Sequence, residues 1–252
     1  MKPFFIALQF LTRIQVVKQN DWSAEDFGRS VAFFPLVGGV LGIIIGGAAY
    51  VLFVALPSCG VTVPTHLGTA CLTLMPLILT GGLHADGLMD AADGLLSGRD
   101  REKILAIMKD SRVGASGVMV FGGLLLLNWS LLLDMERALL PTALFLAPVI
   151  ARLAMTLVIV KFPYARPQGI GHAFARYAPP WTLKVAALTT VCALLPWGIS
   201  ALTTCLVTML FALWLARSIT KKIGGLTGDT YGAIEILCET AVLLLLPIAN
   251  GL

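Results

Sequence analysis

Charged side chains are scarce in this sequence. Asp, Glu, Lys and Arg make up 13% of the 252 residues, whereas hydrophobic residues make up 58%. A soluble domain carries about 25% charged residues, so this composition, with its mean hydropathy of +0.88, indicates an integral membrane protein. The apolar stretches are long and do not alternate with polar residues, which excludes a β-barrel and favours a helical bundle.

The sequence also lacks the cysteine spacing of a metal site or a disulfide framework. Its five cysteines are scattered without a CxxC pair, and we interpret them as small apolar residues of helices or of helix ends. No internal repeat, low-complexity linker or appended soluble domain is apparent. We therefore interpret residues 1–252 as a single integral-membrane domain.

Seven apolar runs have roughly the length of a membrane span. They are Val31 to Leu56, Pro64 to Leu83, Val113 to Leu133, Leu139 to Val160, Trp181 to Leu195, Ile199 to Leu215, and Ala233 to Ile248. The fifth and sixth are short and together suit a hairpin that does not cross fully. The predicted fold is all-α: a polytopic membrane helical bundle of about seven transmembrane segments plus an N-terminal interfacial helix.

The N-terminal stretch resembles a signal peptide in having a Lys and an apolar segment. It lacks a small-x-small cleavage site, and Arg13 interrupts it, so we expect a retained helix at the membrane interface. All but two of the 18 Lys and Arg residues fall in alternate connections, which the positive-inside rule assigns to the cytoplasm. The N-terminus and every chemically rich loop are then cytoplasmic, and the C-terminus is external.

Glycines recur at four-residue spacing in the first apolar run, at Gly38, Gly42 and Gly46. This pattern favours a small-residue seam for close helix packing. Glycine tolerated in contact with lipid is the alternative, and neither interpretation implies chemistry.

Three aspartates, Asp86, Asp90 and Asp93, lie where the second apolar run turns polar. At about 100° per residue, a helix places them on one face, and such close carboxylates repel one another unless a cation lies among them. An all-oxygen ligand set favours Mg²⁺ or Mn²⁺. We therefore predict that these carboxylates bind metal and, with it, phosphate. Solvated acidic residues at a helix N-terminus are the alternative.

A second polar cluster, Lys109-Asp110-Ser111-Arg112, directly precedes the third apolar run. It suits a phosphate-gripping turn in which Asp110 is a fourth acidic ligand, and equally an ordinary basic helix end. His84, beside the aspartates, suits a hydrogen-bonding interfacial residue better than a catalytic base.

Charged residues also occur inside the apolar runs. Arg152 lies about eight residues from the cytoplasmic end of its run, and Glu235 and Glu239 share a helix face at the start of the last run. Charges at such depth are costly and mark function. We expect Arg152 to contact an anion, with snorkelling towards water as the alternative. The two glutamates need partners such as Arg152, Lys109 or metal, or form a structural salt bridge.

Two loops combine glycines with polar residues. The segment Tyr164 to His172 contains Arg166, which suits a clamp on a planar base or a phosphate, or a plain basic loop. The segment Lys221 to Gly232 contains Thr227 and Asp229. Taken together, these carboxylates, bases and glycines suit Mg²⁺-dependent transfer of a phosphorus group, in which metal neutralises a diphosphate and a carboxylate takes the proton of an attacking hydroxyl.

At these residues the chain resembles the cobalamin synthase family, the adenosylcobinamide-GDP ribazoletransferases. The segments that carry the resemblance are FLTRIQV, GGLHADGLMDAADGLLSGRDREKILAIMKDSRVGASGV, YARPQGIGHAF and GGLTGDTYGAIEILCE. The resemblance implies a Mg²⁺-dependent enzyme of the bacterial inner membrane. This enzyme would join adenosylcobinamide-GDP to α-ribazole, or to its 5′-phosphate, and release GMP.

The resemblance also assigns residue roles. The nucleophile would be the ribose 3′-hydroxyl, attacking the phosphorus next to the cobinamide aminopropanol. The family's acidic signature falls on Asp86, Asp90 and Asp93, our expected metal ligands, and Asp229 falls in its second Gly-Asp motif.

The expected catalytic set is these four residues with Asp110. The expected substrate-binding set is His84, Lys109, Arg112, Arg152, Arg166, Thr227, Glu235 and Glu239.

The expected partners are the two substrates and the lipid bilayer, with no nucleic acid. Homo-oligomers and complexes with other corrinoid-pathway enzymes stay open. A CDP-alcohol phosphotransferase is one alternative function, because Asp90-x-x-Asp93-Gly94 matches part of that family's pattern, although the continuation is missing. An ion-coupled transporter is the other, although a carrier places its carboxylates near the membrane midplane.

Overall fold

The computed structural model describes residues 2–18 and 22–251 of the chain, and it is built of helices. These are α1 (Lys2–Leu11), α2 (Ala24–Ser30), α3 (Phe34–Tyr50), α4 (Leu56–Ser58), α5 (Thr65–Thr80), α6 (Leu83–Leu95), α7 (Arg101–Ile107), α8 (Ala115–Asp134), α9 (Leu140–Lys161), α10 (Ile170–Tyr177), α11 (Thr182–Leu194), α12 (Gly198–Ile223) and α13 (Gly228–Ala249). The only extended pairing within the described residues is an isolated bridge between Tyr164 and Leu226.

The all-α membrane bundle predicted from the sequence is confirmed. Five helical segments of the described chain are long and apolar enough to cross a membrane, or six if the bent pair α5–α6 is one span. The predicted count of about seven differs mainly at Thr182–Ile223, a segment of 42 residues that contains the fifth and sixth candidates. At 1.5 Å per residue, such a helix would measure about 63 Å, twice the thickness of the hydrocarbon core.

This long segment reverses direction at Gly198, whose φ is +67°. Tyr177, the last residue of α10 and the helical residue that precedes α11, lies against Gly28 of α2. Leu194, at the end of α11, clusters instead with Leu140 at the start of α9. Helix α12 then returns to Ile223, whose carbonyl oxygen accepts a hydrogen bond from Arg101. The two helices are therefore antiparallel, as expected for a hairpin.

Helices α3 and α9 form the most extensive contact between two helices. A Cβ atom at Gly38 would collide with the carbonyl oxygen of Pro148, and one at Gly42 would collide with that of Phe145. The predicted glycine seam is confirmed, because only glycine lets these two backbones approach so closely.

A bend of 91° separates α5 from α6. Gly81 and Gly82 form it with φ values of +66° and +74°, which suit glycine alone. The side chain of Arg13 lies against Gly81, and its backbone N–H donates to the carbonyl oxygen of Leu79 at 2.7 Å. Helix α1 buries Ile6 and Leu11 against the bundle; its place at a membrane interface stays a prediction.

The bend directs α6 across the start of α13. A Cβ atom at Gly87 would lie 2.8 Å from the carbonyl oxygen of Asp229, and one at Gly232 would lie 3.2 Å from the Cα of His84. Glycine on both helices thus permits the close approach that brings the acidic residues of α6 next to Asp229.

Candidate active site

Two cavities meet at the N-terminal end of α6. The larger cavity, of about 770 Å³, lies between α6, α10 and the start of α13. The smaller cavity, of about 590 Å³, lies between α1, the α5–α6 bend and α8. Phe10, Leu83 and Asp86 line both, so Asp86 stands on their common wall. Both volumes fall in the range of about 300–1,000 Å³ usual for small-molecule sites.

The larger cavity contains charges of both signs. His84, Lys109 and Arg166 line it together with Asp86 and Asp229. The Arg166 guanidinium lies 2.9 Å from Asp229 Oδ2. The cations of this cavity suit phosphate groups, whereas its carboxylates suit a hard metal ion that accompanies the phosphates.

Thr227 lies beneath this cavity as the N-cap of α13. Its hydroxyl accepts from the backbone N–H of Thr230 at 3.2 Å and donates to Asp229 Oδ2 at 3.2 Å. Thr227 is fully buried. The structure therefore places it where it orients Asp229, and it contacts neither cavity.

Asp90 and Asp93 have different surroundings. Asp90 is half-buried, and the negative charges of Asp86, Asp229 and Asp93 act on it, opposed by Arg166. The charge crowding inferred from the sequence is thus present, and the structure adds Asp229 to it from a distant part of the chain.

Asp93 holds the start of α8. Its Oδ2 accepts from the backbone N–H of Gly114 at 2.6 Å and its Oδ1 from that of Gly117 at 2.8 Å. A Cβ atom on either glycine would crowd this carboxylate. Both oxygens of Asp93 therefore have backbone partners, which sequence spacing alone did not reveal.

Within residues 2–18 and 22–251, no group of three or more His, Cys, Asp or Glu side chains is assembled for one metal ion. Mg²⁺ usually takes one or two protein carboxylates and completes its shell with substrate phosphates and waters. Asp86 and Asp90, one helical turn apart on α6, fit that donor set, and Asp229 at the start of α13 lies close enough to act electrostatically on both. Asp90 does not line either cavity. Asp93 as a metal ligand stays a prediction.

Arg152 lies in a buried ionic cluster. It is 1% exposed, and its Nη1 is 2.7 Å from Glu235 Oε1 and 2.9 Å from Glu239 Oε1. The other oxygen of Glu235 is 2.9 Å from His84 Nδ1. The structure thus shows the salt-bridge arrangement for both glutamates. It places Arg152 next to carboxylates, outside the linings of the two cavities.

Asp110 and Arg112 pair with each other. Arg112 Nη2 lies 2.7 Å from Asp110 Oδ2, and this guanidinium lowers the pKa of Asp110 to about 2. Arg112 is almost fully exposed, and neither residue lines the cavities. The structure therefore does not bring this pair to the other candidate site residues.

Three further residues of the cavities were not singled out from the sequence. Tyr164 and Tyr231 line the larger cavity with ring centroids 6.0 Å apart. The Tyr231 hydroxyl is buried and has no hydrogen-bond partner among the described residues. Arg13 lines the smaller cavity. All three fall in segments that carry the family resemblance, which was the available signal.

The fold and the site define a polytopic membrane protein with a phosphate-compatible cavity, lined by charges of both signs, at one end of a helical bundle. Comparison with known proteins identifies the group within that class. The model of the cobalamin-5-phosphate synthase family matches residues 3–247, and the chain belongs to this family.

Curated relatives agree with the family match. A protein of Pseudomonas paraeruginosa is 39% identical over 98% of both chains, and one of Pseudomonas aeruginosa PAO1 is 40% identical over 98% of both chains. A protein of Desulforamulus reducens is 41% identical over 96% of this chain and 94% of its own. Each is named adenosylcobinamide-GDP ribazoletransferase. No solved structure matches the chain.

Proposed function

We propose that this protein joins adenosylcobinamide-GDP to α-ribazole, or to α-ribazole 5′-phosphate, and releases GMP. The relatives that align with this chain over nearly their whole length are named for this transfer. The observation that carries the proposal in the structure is the larger cavity, where Asp86 and the Arg166–Asp229 pair line one space. Such a space offers the opposite charges that a diphosphate and its metal ion require.

The proposed chemistry is one displacement at phosphorus. The ribose 3′-hydroxyl oxygen forms a bond to the phosphorus next to the aminopropanol. The bond from that phosphorus to the oxygen bridging the diphosphate breaks, and GMP leaves with the electron pair. The hydroxyl proton passes to a carboxylate and then to water. Asp86 and Asp229 are the cavity-lining carboxylates that could accept it.

Asp86 and Asp90, with Asp229 nearby, would hold Mg²⁺. When bound, the ion would neutralise the diphosphate and stabilise the leaving group. Arg166 and Lys109 would contact the phosphates, and Thr227 would orient Asp229. The buried His84–Glu235–Arg152–Glu239 cluster would fix the position of α6 against α13, because it ties His84 to Glu235.

We further propose that the protein is a multi-pass protein of the inner membrane with this site facing the cytoplasm. The support is the one-sided distribution of Lys and Arg, which the positive-inside rule assigns to the cytoplasm. Cysteine accessibility in inverted and right-side-out vesicles tests the orientation at an exposed position such as Lys103.

GMP release in nanodiscs tests the function. The assay contains adenosylcobinamide-GDP and α-ribazole, with and without Mg²⁺. We expect Mg²⁺-dependent GMP formed in step with a corrinoid product. If folded protein with Mg²⁺ yields neither product, the proposal is wrong, and CDP-alcohol transfer or ion-coupled uptake becomes the next reaction to assay.

Asp90→Asn tests the acidic group on α6. We expect it to abolish product formation while the variant still inserts and purifies normally. Asp100→Asn, on the exposed N-cap of α7, is the matched control for loss of one carboxylate. Turnover at the wild-type rate from Asp90→Asn would contradict the assignment.

A further inference from the structure

In the proposed reaction the smaller cavity holds neither the diphosphate nor its metal ion. It lies between α1, the α5–α6 bend and α8, and it shares the lining residues Phe10, Leu83 and Asp86 with the larger cavity. A displacement at phosphorus needs the attacking and leaving oxygens roughly in line on opposite sides of the phosphorus. Two adjoining cavities that share Asp86 allow one substrate to lie in each, with the reacting atoms meeting beside this carboxylate.

The two cavities differ in how many charged side chains line them. The larger one is lined by Lys109, Arg166 and Asp229 besides Asp86, which suits a diphosphate with a metal ion. The smaller one is lined mainly by apolar or neutral side chains, including Leu77, Met89, Phe121, Gln9 and Thr80. An aromatic nucleoside is bound by walls of this kind, with a few polar groups to orient it.

Arg13 is the one cation among the described residues that line the smaller cavity. Its side chain lies against Gly81, where a Cβ atom would collide with the guanidinium. Its backbone N–H is fixed to the Leu79 carbonyl oxygen at 2.7 Å, and no carboxylate forms an ion pair with it within residues 2–18 and 22–251. The Arg13 backbone is thus fixed, and its side chain is exposed. An exposed guanidinium that no described carboxylate neutralises suits a phosphate group.

We propose that the smaller cavity binds the ribazole substrate and that Arg13 contacts its 5′-phosphate. The larger cavity then binds the diphosphate of adenosylcobinamide-GDP, and the reacting atoms meet at Asp86. This inference rests on the proposed function. It adds the positions of the two substrates and makes Arg13 the residue that distinguishes α-ribazole 5′-phosphate from α-ribazole.

Initial-rate kinetics of the full chain in nanodiscs test this assignment. Each substrate is varied in turn, with either form of ribazole as acceptor. Arg13→Ala is expected to raise the KM for α-ribazole 5′-phosphate about tenfold, the effect of losing one charge-assisted hydrogen bond. The KM values for α-ribazole and for adenosylcobinamide-GDP are expected to change less than twofold. Arg13→Lys should restore part of the loss, because it keeps the charge.

Lys109→Ala is the matched control in the larger cavity. It is expected to raise the KM for adenosylcobinamide-GDP and to leave both ribazole KM values within twofold of wild type. An increase in the donor KM with Arg13→Ala, or an equal increase for both ribazole forms, would overturn the role given to Arg13.

A second variant covers the case in which Arg13→Ala fails to purify as folded protein. Phe121→Ala, at another residue that lines the smaller cavity, is expected to raise the KM for both ribazole forms and not the KM for the donor. An increase in the donor KM alone would place the acceptor elsewhere. Failure of the proposed function is distinguishable, because wild-type protein would then release no GMP with either acceptor.

Discussion

Replacing Arg152 with Met should destabilise the fold without weakening donor binding. Arg152 is 1% exposed, and its Nη1 lies 2.7 Å from Glu235 and 2.9 Å from Glu239. The variant leaves two carboxylates in the bundle interior without their cation. Removing one partner of a buried ion pair costs about 3–5 kcal/mol of unfolding free energy.

The charge-neutral triple variant is the matched control. Arg152→Met combined with Glu235→Met and Glu239→Met replaces the cation and both carboxylates together by hydrophobic residues of similar volume. Replacing a whole buried ionic group is often close to neutral. We therefore expect the triple variant to recover at least half of the stability that the single variant loses.

Reversible unfolding in mixed micelles measures the stability of each variant, and GMP release measures the KM for adenosylcobinamide-GDP. The sequence favoured an anion contact for Arg152. That role predicts instead that Arg152→Met raises the donor KM and leaves the free energy of unfolding unchanged. A variant of wild-type stability with a raised donor KM would refute the structural reasoning and restore the anion contact.

Three further predictions follow from the contacts of single residues. Gly42→Ala should lose about 1–3 kcal/mol of unfolding free energy, because the added Cβ would collide with the Phe145 carbonyl oxygen between α3 and α9. The control Gly39→Ala should lose none, because open space surrounds that position. Asp93→Ala should lose about 2 kcal/mol and speed amide exchange at the start of α8, since two backbone N–H groups lose their acceptor. Thr227→Val should lose about 1 kcal/mol as a lost N-cap; unchanged stability would contradict the capping role.

The membrane class and the helical fold could be predicted because hydropathy is a local property of the chain. A run of apolar residues predicts a span wherever it occurs, and the four-residue glycine spacing predicts which face packs closely. The boundary near Gly198 was predictable as a connection without charged residues between two short apolar runs, but the direction of α11 and α12 depends on their contacts with α9.

The site was predictable in part. Helical periodicity places Asp86, Asp90 and Asp93 on one face of a helix. Their mutual repulsion follows from this shared face. The spacing did not indicate that both oxygens of Asp93 are occupied by the backbone of α8, since Gly114 and Gly117 lie in a separate helix.

The sequence by itself determined which stretches are apolar enough to enter a membrane and where the charged residues lie in the chain. Only the tertiary structure decided which charges meet, because the partners are far apart: Arg152 and Glu239 are separated by 87 positions. A bend of 91° at two glycines and glycine contacts between α6 and α13 bring Asp86 and Asp229 to one cavity. Those contacts depend on the packing of several helices at once, and no local pattern encodes them.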